Sequence, residues 1–82
     1  MDIFKRNEKA EKIRAFKRLF DSDDGRVVLR ELMSSLHFSH STFDADPSVH
    51  AFKEGERSAL LRIIRTANID ANKLEEIMRE DR

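Results

Sequence analysis

The chain holds a single proline, Pro47, and it stands where proline starts a helix rather than breaks one. Asp46 precedes it. An aspartate at this position accepts hydrogen bonds from the free N–H groups of a first helical turn, and proline directly after it has no N–H to leave unsatisfied. From there to Ala67 no further proline occurs, and Val49, Phe52, Ala59, Leu60, Ile63 and Ile64 recur at helical spacing. The spacing predicts a long helix over Pro47–Ala67. Ala51, Gly55 and Ala59 fall four apart on one of its faces. Glycine inside a helix costs about 1 kcal/mol relative to alanine, so this row predicts a groove where another backbone comes close to Gly55.

The rest of the chain arranges itself on either side. Residues 1–7 read as a flexible tail. Ile13, Phe16, Leu19 and Phe20 recur at three and four, with Lys9, Lys12, Arg14, Lys17 and Arg18 on the other side, and predict a first helix over about 7–20. Asp21-Ser22-Asp23-Asp24-Gly25 breaks it, with Asp23 or Asp24 as the next cap. Val27, Val28, Leu29, Leu32, Met33 and Leu36 make a second helix over about 25–37, the i, i+4, i+8 spacing of Val28, Leu32 and Leu36 outweighing the β preference of its two valines. Residues 37–45 form the longest irregular stretch, in which Phe38 and Phe43 are expected to tuck under the helices. Asp70 caps a fourth helix, Ile69 staples to Leu74 across that cap, Leu74, Ile77 and Met78 face inward, and Arg79–Arg82 frays. No segment alternates as a strand does. The expected fold is all-α: a small bundle of about four helices with a long central third helix, forming one domain over 8–79.

Composition excludes several classes of function. At 82 residues the chain is one domain of modest core. It has no cysteine, so neither a disulfide framework nor a thiolate metal site is available. No stretch approaches the ~20 apolar residues of a membrane span. The formal net charge is zero, yet it is unevenly spread. Residues 1–19 carry seven Lys/Arg against three acids, residues 20–50 six acids against two arginines, and residues 51–82 seven of each. The basic patch Lys9, Lys12, Arg14, Lys17 and Arg18 exceeds what Glu8 and Glu11 neutralise. It faces the acidic turn Asp21–Asp24 and loop Asp44–Asp46, a partner protein, or phosphates.

Motifs for chemistry are weighed against plainer readings. A calcium loop with Gly25 at its sixth position places Asp24 and Glu31 well but puts Phe20 in the first ligand position, so a capped turn is the better reading. His37, His40 and His50 form a histidine-only set without a supporting carboxylate or thiolate, and His37 and His40 straddle a helix end where histidines complement the last carbonyls. His50 pairs equally well with Glu54 one turn on. Ser39, Ser41 and Thr42 have histidines nearby but no oxyanion hole. No metal, cofactor or catalytic residue is therefore expected, and the chain reads as non-enzymatic. Glu54, Glu56 and Arg57 read as a structural cluster or a recognition patch. Glu54, Gly55, Arg57 and His50 make up the candidate interaction surface.

Thr42-Phe43, Asp46-Pro47, His50-Ala51, Glu54-Gly55 and Arg57 resemble the signature of a small tailed-phage protein family. That family is typified by a morphogenesis-cluster gene product of a Bordetella phage. Upstream, Phe16, Phe20, Gly25, Val28-Leu29 and Leu32 are similar to the family pattern; downstream, Leu61-Arg62-Ile63 and the run from Asn68 to Ile77 follow it. The resemblance spans Ala15 to Ile77 and departs at Glu56, where the pattern expects a basic residue. It implies a phage or prophage setting rather than an activity. The expected function is a protein–protein interaction module in virion assembly or structure, with a phage structural or assembly protein as partner. Its expected place is the host bacterial cytoplasm or the virion. Two alternatives remain: a nucleic-acid-associated protein using the basic first helix, and a host-directed inhibitor.

Overall fold

The computed structural model describes residues 2–80, with side chains from Glu8 onward. Four helices follow one another: α1 (Asp2–Asp21), α2 (Asp23–Ser35), α3 (Pro47–Ala67) and α4 (Ala71–Arg79). Among the described residues there is no strand, and the fold is the all-α bundle that the periodicity predicts. The first helix begins at Asp2, so the backbone expected to form a tail is helical over 2–7. Residues 81 and 82 of the expected fraying end lie outside the described residues.

A single residue, Ser22, separates α1 from α2. Ser22, and neither Asp23 nor Asp24, is the cap of α2: its Oγ accepts from the Gly25 N–H at 3.0 Å and donates to the Leu19 carbonyl at 2.6 Å. One hydroxyl thus closes one helix and opens the next. This corner brings α2 hard against the end of α1. A Cβ added to Gly25 would stand 1.6 Å from the Leu19 carbonyl oxygen. The close-approach glycine of this protein is therefore Gly25. Gly55 is exposed, and a Cβ there would meet nothing within 4 Å, which corrects the expected groove along Ala51, Gly55 and Ala59.

Because Gly25 turns toward α1, α2 buries the face Gly25, Leu29 and Met33. Leu32 and Leu36 lie partly buried at its flank, while Val27 and Val28 are 53% and 51% exposed. Of the apolar positions that mark this helix in the sequence, Leu29 and Met33 are thus the buried ones, and the two valines face outward. The core comprises Phe20 of α1, Leu29 and Met33 of α2, Leu60, Ile64 and Ala67 of α3, and Ile77 of α4. Phe16, Phe38, Ile63, Ile69 and Leu74 pack around it. Helix α1 packs on both α2 and α3, and α2 packs on α4. Arg26 reinforces that last contact, reaching Glu76 and Glu80 at 3.5 Å each.

Helices α2 and α3 both end on a left-handed residue, His37 (φ 64°) and Asn68 (φ 54°). Phe38 N–H returns to the Met33 carbonyl, and Ile69 N–H to the Ile64 carbonyl. These closures satisfy carbonyls that the last turns leave free. Asp70 caps α4 as expected, accepting from the Lys73 N–H at 2.9 Å, and Ile69 and Leu74 on either side of it both pack on the core. Met78, expected inside, is exposed. The molecule is elongated, 48 × 35 × 18 Å, and only the second half of α3 contributes to the core.

Candidate interaction surface

The first half of α3 is occupied by the segment that leads into it. Asp46 caps the helix, accepting from Ser48 and Val49 N–H at 2.8 and 3.4 Å. Two residues earlier, Asp44 accepts from the Asp46 N–H at 2.9 Å and from Lys53 Nζ at 3.4 Å. The backbone hydrogen bond first, and then the Lys53 ammonium, hold the Asp44 carboxyl below the usual range. Thr42 is buried, and its hydroxyl donates to the Glu54 carboxylate. His50 Nδ1 lies 3.1 Å from the Thr42 carbonyl, so His50 bonds to the loop and not to Glu54.

The far end of the loop is fastened from the next turn. Arg57 Nε donates to the His37 carbonyl at 3.1 Å and Nη2 to the Phe38 carbonyl at 3.5 Å. His37 Nε2 lies 2.9 Å from Glu56. His50, Lys53, Glu54, Glu56 and Arg57 thus form a polar clamp along one side of α3. It satisfies loop groups that would otherwise have no partner. Three of the four candidate surface residues, His50, Glu54 and Arg57, spend side-chain atoms on it; Gly55 lies outside it in open space. Glu56 departs from the expected basic residue and receives His37 instead. His37 and His50 have separate partners in the clamp and His40 is exposed. Among the described residues no group of three or more His, Asp or Glu is placed to hold a metal ion.

Around the clamp the surface is apolar in an unexpected way. Phe43, expected to tuck inward, is 75% exposed, and its ring lies 6.1 Å from that of His50. Phe52 is 69% and Val49 39% exposed. No signal in the sequence separates these residues from the core, since Val49 and Phe52 sit on the apolar stripe of α3 and Phe43 is as apolar as the buried phenylalanine Phe20. What strips them is geometry: the bundle covers only the second half of α3, and the loop covers one side of the first half.

The basic patch is where the first helix was expected to carry it. Lys9, Lys12, Arg14, Lys17 and Arg18 are all exposed. Among the described residues no acid of the turn or the loop pairs with them: Asp21 pairs with Lys73, Asp44 pairs with Lys53 and Asp46 caps α3. Arg62 and Arg65 of α3 are exposed too. Among the described residues none of these seven cations forms an ion pair. Positive charge is thus in excess on α1 and the end of α3, while α2 and α4 are close to balanced.

No curated protein and no solved structure matches the chain. The sequence profile of the Bbp19-like phage proteins matches residues 16–79. That span runs from Phe16 through the corner at Gly25, the clamp and the whole of α4, well over half of the chain; the chain belongs to the family of Bbp19-like phage proteins.

Proposed function

We propose that this phage-family protein is a non-enzymatic protein–protein interaction module acting in virion assembly or structure. A phage structural or assembly protein would be its partner, met in the host bacterial cytoplasm and carried on into the virion if the contact persists. The observation that supports this reading is the division of the apolar side chains. Among the described residues seven hydrophobic side chains form the buried core, and seven large ones are exposed: Leu19, Val27, Val28, Phe43, Val49, Phe52 and Met78. Scattered exposed apolar residues are ordinary. Two phenylalanines more than two-thirds exposed, on a loop and helix held rigid by a dedicated clamp, fit the aromatic anchors that dominate protein interfaces.

Affinity purification from infected cells, followed by mass spectrometry, tests this. The expected result is recovery of a phage structural or assembly protein with the wild-type chain and its loss with Phe43→Asp/Phe52→Asp. Both positions are exposed, so circular dichroism should remain unchanged. Capture unaffected by the double substitution would remove the aromatic patch from the function. The seven cations on α1 and α3 that have no ion pair among the described residues favour a second reading, association with nucleic acid, which is distinguished by its salt dependence.

A further inference from the structure

We propose that the chain assembles head to tail with copies of itself, the outer face of α2 of one copy seating in the groove between α1 and α3 of the next. This rests on the reading of the protein as an interaction module and names a second copy as one partner. The groove has an apolar floor, lined by Ala15, Phe16, Leu19, Phe20 and Ile63. Leu19 stands 58% exposed within it. Lys12, one helical turn before Phe16, and Arg18 and Arg62, beside Leu19 and Ile63, carry exposed charges without an ion pair among the described residues.

The outer face of α2 is its complement. Asp24, Val27, Val28 and Glu31 follow the i, i+3, i+4, i+7 spacing of one helix face. That face lies opposite the buried line Gly25, Leu29 and Met33. Its two valines are half exposed, and its two carboxylates form no ion pair among the described residues. Two apolar anchors flanked by Asp24 and Glu31, with Arg30 beside Val27 drawn to Glu80 at 3.9 Å, thus match an apolar floor flanked by cations. Within one chain the two cannot meet, since α2 packs on α1 through its other side. A duplex or single strand would use the cations but leave the apolar floor unmatched. A contact between two different faces of identical chains repeats into a ring or a filament, and its opposite charges steer association and fix register.

Charge exchange tests the contact. In sedimentation equilibrium the full chain should show an average mass above the 9.6 kDa monomer that rises with concentration. Raising salt from ~50 to ~500 mM should weaken association by screening the rim. Lys12→Glu/Arg18→Glu and Asp24→Lys/Glu31→Lys should each weaken association at least about tenfold, with helical circular dichroism retained. An equimolar mixture of the two variants should associate again, because each reversed face then finds its match in the other. A wild type that stays monomeric at every concentration, either variant associating like wild type, or a mixture that stays monomeric would overturn the proposal. A monomeric wild type that still captures a phage protein through Phe43 and Phe52 would overturn self-association alone and leave the interaction reading intact.

Discussion

At the residue scale, the two glycines show how little a residue's identity says without its surroundings. Both lie inside helices. Gly25 carries the cost of glycine because α2 meets the Leu19 carbonyl there, 1.6 Å from where a Cβ would stand. Gly25→Ala must push the α1–α2 corner open, at a cost of about 3 kcal/mol or more, the upper end of overpacking. Gly55 faces open space, so Gly55→Ala gains the helix propensity of alanine, about 1 kcal/mol. Thermal or urea denaturation of the two variants should move in opposite directions. A Gly55→Ala variant less stable than wild type would mean that something covers this face, as the row of small residues led us to expect. The glycine worth noticing was legible in principle: Ser22-Asp23-Asp24-Gly25 puts a small residue three positions after a capping hydroxyl. The adjacent aspartates are equally good caps by type, and nothing in the sequence ranks them.

At the element scale, helices with explicit punctuation were legible and those without it were displaced. Asp46-Pro47 and Asn68 bound α3 at both ends, and Asp70 opens α4. Helix α1 has no such start, and its backbone begins at Asp2. Helix α2 offers Val27, Val28 and Leu29 in succession, so two rotations bury an apolar line equally well on paper; the Gly25 contact chooses the one with Leu29 and Met33. The clamp was readable only as a set of polar residues at turn spacing, because partners such as the His37 and Phe38 carbonyls are backbone groups that a sequence does not show. Helix α4 rests on tertiary contacts. Nine residues are fewer than the ~12–15 an isolated helix needs in water, and Ile77 is its one fully buried side chain. Ile77→Ala should cost about 2–5 kcal/mol. It should also expose the α4 amides to hydrogen exchange before those of α3. Protection of α4 that survives the substitution would show that Arg26 with Glu76 and Glu80, and not Ile77, holds it in place.

At the scale of the whole molecule, shape and charge decide between the functional readings. A compact chain of this length has a radius of gyration of about 12 Å; this one measures 15.1 Å, as its 48 × 35 × 18 Å outline requires. Its zero net charge hides a basic excess on α1 and α3 that acids spread over the rest of the chain offset. Such a molecule has no long-range attraction for a polyanion, since its charges sum to zero and are screened beyond a Debye length of about 10 Å at 0.1 M salt. At contact, however, the basic layer meets phosphates directly. If Lys12, Lys17 and Arg18, along α1, and Arg62, on α3, reach a duplex together, about four counterions leave. The log–log slope of affinity against salt is then about −3.6. A slope of that size allows weak binding to a labelled duplex at ~20 mM salt and predicts a loss of about a thousandfold or more by ~150 mM. Fluorescence anisotropy with a duplex and a single strand should therefore show binding at low salt only, equal for unrelated sequences. Submicromolar affinity persisting at ~150 mM, and abolished by Lys12→Glu/Lys17→Glu/Arg18→Glu, would require contacts beyond phosphate neutralisation. That outcome would make nucleic acid, and not a protein, the partner of the basic layer. Weak, salt-sensitive and sequence-blind binding leaves that layer to a partner that also covers Phe16, Leu19 and Ile63, which phosphates do not.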